Sequence, residues 1–202
     1  MCIRDSIWGT VWNTTLTRSS GGTGEVSLDR LCQPRLEPEI VFGMAATPPR
    51  DATLEDLFGC IAWLAPGFEI VQSHLPGWKF SAADTVADGG LHARLLVGKR
   101  TPVRAVAADA QALDARLAGS RVVLSRNGGR VEEGRGANVL DGPLRALRHF
   151  VQALRECPGG PELLPGDVVT TGTWTDAWPV APGERWAADF EAPLSRLEVQ
   201  FK

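Results

Sequence analysis

Apolar positions along this chain alternate with polar ones more often than they recur at helical spacing, and that alternation predicts strands. Ile7-Trp8-Gly9-Thr10-Val11-Trp12-Asn13 reads as a strand already under way. A Ser/Gly-rich loop over residues 20–24 precedes a short strand expected from Val26 to Leu31, and Glu37-Pro38-Glu39 runs extended into Ile40-Val41-Phe42. Helical spacing then takes over. Thr53 and Asp56 form a capping-box signal, and Leu54, Leu57, Phe58, Ile61 and Leu64 keep one stripe until Pro66-Gly67, which predicts a helix over residues 54–64. Phe68 to Val71, Leu91 to Val97 and Val103 to Ala107 return to strand character. Ser120–Leu124 and Arg130–Glu133 flank Asn127-Gly128-Gly129, a hairpin signal. A second helix opens at Asp141 and Pro143, carries Leu144, Leu147, Val151 and Leu154 on one face, and ends at Cys157-Pro158-Gly159-Gly160. Val168–Thr173, Trp186–Phe190 and Leu197–Phe201 close the chain as strands. The expected class is mixed, β-rich α+β with a mostly antiparallel sheet system and a few flanking helices, without internal repeats.

Composition narrows the function classes. The chain has 202 residues, 44% of them hydrophobic and 22% charged, enough for one large domain with a sizeable core. Its net charge is −3 with Lys and Arg dispersed, so nothing offers the basic face that a phosphate backbone requires. The longest apolar stretches, such as Ile61 to Pro66, fall far short of the roughly 20 residues that span a bilayer, and no secretory signal is evident, so the chain reads as cytoplasmic. Cys2, Cys32, Cys60 and Cys157 lie far apart, without a CxxC pair, and read as reduced thiols. Residues 1–6 lead into no pattern. They are expected to be a non-native leader ahead of a single domain over residues 7–202, with the native N-terminus missing.

The candidate chemistry lies in three glutamates. Pro38 disfavours helical angles at Glu37, and residues two apart on an extended segment share a face, so Glu37 and Glu39 can aim at one point. Glu69 follows in a second extended segment. Carboxylates that close repel unless a cation neutralises them, and three hard oxygen donors suit Mg²⁺ or Mn²⁺ better than Zn²⁺. E-x-E on a strand is also a common solvated face, and spacing alone leaves both readings open. His74, just past Glu69, and His92 are placed so that either could reach the pocket, while His149 sits on the second helix; a lone His is more often structural than catalytic, and none is taken as a base.

Five ordered motifs go further: E-P-E-I at Glu37, F-E-I-V-x-S at Phe68, W-K-F-S-A-A-D-T-V-A-D at Trp78, L-L-P-G-D-V-V-T-T-G-T at Leu163 and P-V-x-P-G-E at Pro179. Together, from about Ile7 to the C-terminus, they resemble the fumarylacetoacetate hydrolase superfamily, within it the branch of 2-keto-4-pentenoate and 2-oxo-hepta-3-ene-1,7-dioate hydratases. The resemblance implies a fumarylacetoacetase C-terminal-like fold and a Mg²⁺ or Mn²⁺ triad at Glu37, Glu39 and Glu69. It also implies a substrate-carboxylate site at Thr171, Gly172 and Thr173, with catalytic parts for Asp88 and Lys79. The implied activity is hydration of a 2-hydroxy-dienoate or 2-oxo-enoate to a 4-hydroxy-2-oxo acid in aromatic catabolism, by a homo-oligomer with no nucleic-acid or membrane partner. Acylpyruvate-type carbon–carbon hydrolysis, 2-oxo acid decarboxylation and a catalytically impaired metal-binding domain are the alternatives. The chain departs from the branch in three places. The branch's catalytic Lys, in a K-I-G segment that would precede Ile7, has no match; its A-D-N-x-S loop reads Ala87-Asp88-Gly89-Gly90-Leu91; and Asn13 stands where an Asp is expected.

Overall fold

A computed structural model of the chain describes residues 7–19 and 21–202. The elements in chain order are β1 (Leu16–Arg18), β2 (Thr23–Val26), β3 (Arg35–Met44), α1 (Leu54–Cys60), β4 (Ile61–Val71), α2 (Ala82–Ala87), β5 (His92–Val97) and β6 (Thr101–Pro102). They continue with α3 (Val103–Val106), α4 (Ala110–Gly119), β7 (Arg121–Arg126), β8 (Gly129–Arg135), α5 (Pro143–Glu156), β9 (Val168–Thr170), β10 (Trp178–Pro179), β11 (Arg185–Phe190) and β12 (Leu197–Phe201). The class is mixed, β-rich α+β, as the alternation predicts.

Two sheets build the molecule. The first has the order β1-β5-β4-β3-β10, with β6 added on β4 and β9 on β3; the second runs β2-β12-β11-β7-β8. Pairing is antiparallel except for β1 with β5 and β2 with β12. The long β3–β4 pair is the spine, and its alternation sorts two faces. Leu36, Ile40 and Phe42 of β3 with Leu64, Phe68 and Ile70 of β4 join the main core, which also takes Val122 and Leu124 of β7 and Trp186 and Phe190 of β11. On the other face Val41 and Ala65 pack with Leu95 and Val97 in a smaller cluster, which Leu16 and Trp63 join. Because both faces are covered, Ile40-Val41-Phe42 is continuously apolar rather than alternating. Leu144, Leu147 and Val151 seat α5 on the core, and Leu154 on the same stripe is also buried, each such burial contributing about 1.5–3 kcal/mol.

Several expectations need correcting. The helix that starts with the Thr53–Asp56 capping box ends at Cys60, and Ile61 begins an 11-residue strand. Ile61 and Leu64 fit a helical stripe equally well, but β3 offers Leu64 and Trp63 direct partners in Phe42 and Gly43, and Pro66-Gly67 lie within the ladder opposite Ile40 and Glu39. Val103–Val106 is a helical turn rather than a strand. Residues 7–13 carry no strand, and the first ladder residue is Leu16. The strand expected at Val26–Leu31 instead ends at Val26, drawn back to Thr23 by parallel pairing with β12. The hairpin stands as expected, with Asn127 and Gly128 at φ 50° and 83° in the left-handed region that its tight turn requires. The leader expected over residues 1–6 lies outside the described residues. Among the described residues, no helix is long and apolar enough to cross a membrane, and Cys32, Cys60 and Cys157 are unpaired.

Candidate metal centre

The β3–β4 register brings the glutamates together. Glu37 pairs directly with Glu69, so their side chains leave the sheet on one face, and Glu39 joins them two residues along β3. Each residue offers a carboxylate oxygen within 4.8 Å of those of the other two. Glu39 is fully buried. Its Oε2 accepts a hydrogen bond from the Gly172 N–H at 2.8 Å, and its Oε1 has no partner. Gly172 holds that N–H in place at φ 110°, a conformation suited to glycine.

Such a cluster resists ionisation. Burial, then the charge of Glu69, pushes the Glu37 carboxyl up to about 8. Burial, then the charges of Glu69 and Glu37, raises Glu39 well above the carboxylate range, against the opposing pull of the Gly172 N–H. Three carboxylates held this close, one with a buried orphan oxygen, match the needs of a divalent cation with hard oxygen preference. The residues present therefore fit Mg²⁺ or Mn²⁺.

His92, one of two histidines within reach of the pocket by sequence, is in the site. Its Nδ1 lies 2.7 Å from Glu69 Oε1 and its Nε2 2.8 Å from Thr15 Oγ1. A register shift between Ile70 and Val71 puts it there. Glu69 pairs with Leu95 and Ile70 with Arg94, yet Val71 pairs with His92 rather than Ala93. Strict alternation would put His92 on the face of Leu96, in the main core; the bulge turns it onto the face of Glu69. No period-2 reading of Leu91–Val97 shows that extra residue.

The triad opens into a cavity of about 1350 Å³. Trp8, Trp78, Phe80 and Phe150 supply aromatic wall, with the Thr171–Thr173 turn beside the carboxylates. Arg35, two residues before Glu37, also lines it; its guanidinium stacks 4.1 Å above the Trp78 ring, and its Nε is buried without a partner. Thr171 Oγ1 is buried and unpartnered, and Thr173 Oγ1 accepts the Thr175 N–H at 3.3 Å. Within this turn the Gly172 N–H is taken up by Glu39.

Two expected catalytic residues lie elsewhere. Lys79 is exposed and off the cavity wall, because it sits in extended backbone between Trp78 and Phe80, which face inward. Asp88, at the end of α2, is also off the wall; its Oδ1 lies 2.6 Å from His74 Nδ1 and its Oδ2 accepts the His74 N–H at 3.3 Å.

No family model matches the chain, but individual relatives do. It is 34% identical over 161 residues to the TodF product hydratase of Pseudomonas putida, covering 79% of this chain and 56% of the relative. It is 31% identical over 172 residues to the 2-hydroxyhexa-2,4-dienoate hydratase of Comamonas testosteroni, covering 85% of this chain and 61% of the relative. Both hydratases are thus spanned for only about three-fifths of their length. Among solved structures, 4-oxalocrotonate decarboxylase from Pseudomonas putida G7, complexed with magnesium and adipate, superposes with a TM-score of 0.82 at 27% identity, over 96% of this chain and 69% of that one. Common architecture, the E-x-E strand pair and these relatives agree: the chain belongs to the fumarylacetoacetate hydrolase superfamily, alongside its 2-keto-4-pentenoate hydratase branch.

Proposed function

We propose that this chain is a divalent-metal-dependent hydro-lyase that adds water to a 2-hydroxy-dienoate, giving a 4-hydroxy-2-oxo acid, in the catabolism of aromatic compounds. The observation that carries the reading is the triad of Glu37, Glu39 and Glu69, with Glu39 fully buried, at the wall of a large, aromatic-lined cavity. These three residues would hold Mg²⁺ or Mn²⁺, which when bound supplies Lewis acidity to a 2-oxo group. The rest falls to the chain. Gly172 orients Glu39 through its N–H. The hydroxyls of Thr171 and Thr173 line the wall beside Glu39 and are free to donate to a substrate carboxylate. Arg35 gives the cavity a cation without an ion-pair partner among the described residues, held in place by Trp78. Trp8, Trp78, Phe80 and Phe150 surround the carbon skeleton and exclude bulk water around it. Resting on family resemblance alone, the protein is read as a cytoplasmic homo-oligomer.

Decarboxylation is the second reading, favoured by a 31% identical 4-oxalocrotonate decarboxylase of Pseudomonas putida and by the solved relative of the same name. Ultraviolet absorbance of 2-hydroxypenta-2,4-dienoate, followed with the chain and Mg²⁺, tests the proposal. We expect the absorbance to fall at a rate set by enzyme concentration and to stop on chelation. Silence there, with carbon dioxide released from 4-oxalocrotonate, would move the assignment to the decarboxylase.

A further inference from the structure

We propose that His92, anchored by Thr15, is the positioning residue that fixes the rotation of the Glu69 carboxylate toward the metal and ties the chain ahead of β1 to that ligand. The inference rests on the reading of Glu37, Glu39 and Glu69 as metal ligands. The terminal torsion of a glutamate has a broad minimum, so a ligand at the end of such a chain swings unless something holds one of its oxygens. Glu69 Oε1 is held by His92 Nδ1 at 2.7 Å. A carboxylate only accepts, so Nδ1 carries the proton.

The ring itself is fixed. Its side chain is 4% exposed, and Nε2 lies 2.8 Å from the Thr15 hydroxyl. Thr15 Oγ1, whose proton goes to Nε2, accepts the Trp12 N–H at 3.2 Å and lies 2.9 Å from the Trp12 carbonyl, and the Thr15 N–H donates to that carbonyl at 3.0 Å, closing a tight turn over residues 12–15. Trp12 and Asn13 of this turn line the same cavity as the triad. Glu69 is therefore linked through two side chains to a piece of cavity wall more than 50 residues away in sequence. The bulge at Ile70/Val71 exists at the one place where it brings this ring across from the core face. Outer partners of metal ligands typically govern affinity by roughly 10- to 100-fold. Linkage is reciprocal, so an ion on Glu69 must also steady the Trp12–Thr15 turn.

The test is Mn²⁺ titration calorimetry on the wild type, His92→Leu, His92→Gln and Thr15→Val, with amide hydrogen exchange over residues 12–15 measured with and without Mn²⁺. Leucine removes both hydrogen bonds, whereas glutamine restores a donor for Glu69. We expect His92→Leu to bind Mn²⁺ roughly 10- to 100-fold more weakly, His92→Gln to recover most of that loss, and Thr15→Val to fall between wild type and His92→Leu. Mn²⁺ should slow exchange at residues 12–15 in the wild type and not in His92→Leu. Wild-type affinity in a folded His92→Leu would overturn the role, as would a folded His92→Gln no better than His92→Leu. Should His92→Leu fail to fold, Thr15→Val decides, and unchanged affinity and exchange there overturn the role. A wild type that binds no Mn²⁺ would overturn the metal reading itself, a separable failure.

Discussion

At the scale of single residues, the triad ties stability to pH in a definite direction. The Glu37 carboxyl titrates near its ordinary value of 4.5 in the unfolded chain and at about 8 in the metal-free folded one. Between those values the folded state binds more protons than the unfolded state, so stability is fully present below about 4.5 and is lost as pH rises toward 8. Glu39 is raised for the same reasons and acts in the same sense. An ion displaces these protons, so its apparent affinity rises with pH over the same window. Thermal unfolding in chelator should therefore show a midpoint that falls across this range, with added Mn²⁺ recovering most at the alkaline end. A midpoint in chelator that rises with pH would contradict the burial of these carboxylates. The shared face of Glu37 and Glu39 was legible in sequence because period-2 geometry needs no tertiary knowledge, whereas Glu69 came from the ordered motifs, since its place opposite Glu37 depends on the β3–β4 register. Lys79 and Asp88 were not, since the facing of a loop residue depends on neighbours such as Trp78, Phe80 and His74 that local sequence does not rank.

At the scale of elements, periodicity read the molecule well wherever one face is buried and the other is not. The α5 stripe is the clearest case: Leu144, Leu147, Val151 and Leu154 are all buried as expected. Leu147 is fully buried against the core, so Leu147→Ala should cost about 2–5 kcal/mol in denaturant unfolding. A loss under about 1 kcal/mol would mean that α5 does not pack as described. Periodicity misread residues 61–64, where a doubly covered strand is as apolar as a helix and Pro66-Gly67 mimic a stop signal. The bulge that delivers His92 is the opposite problem, one residue of slip that reverses the face of everything before it in β5.

At the scale of the whole molecule, two sheets share one core and leave the site face of β3 and β4 turned to a broad cavity. The pairing of β3 with β4 across α1 brings carboxylates 32 residues apart in sequence into one cluster, which is why motif order along the chain was informative about the site. Cavity shape was not legible, because its walls come from the segment ahead of β1, from α5 and from the Thr171–Thr173 turn together. The central claim is that this cluster exists to hold a divalent ion. Isothermal titration of the chelator-treated chain with Mn²⁺, alongside Glu39→Gln, tests it most directly. We expect one ion per chain in the wild type and none in Glu39→Gln, since the variant removes the buried charge that Gly172 orients. An absence of binding to the wild type, or equal binding to a folded Glu39→Gln, would contradict the account.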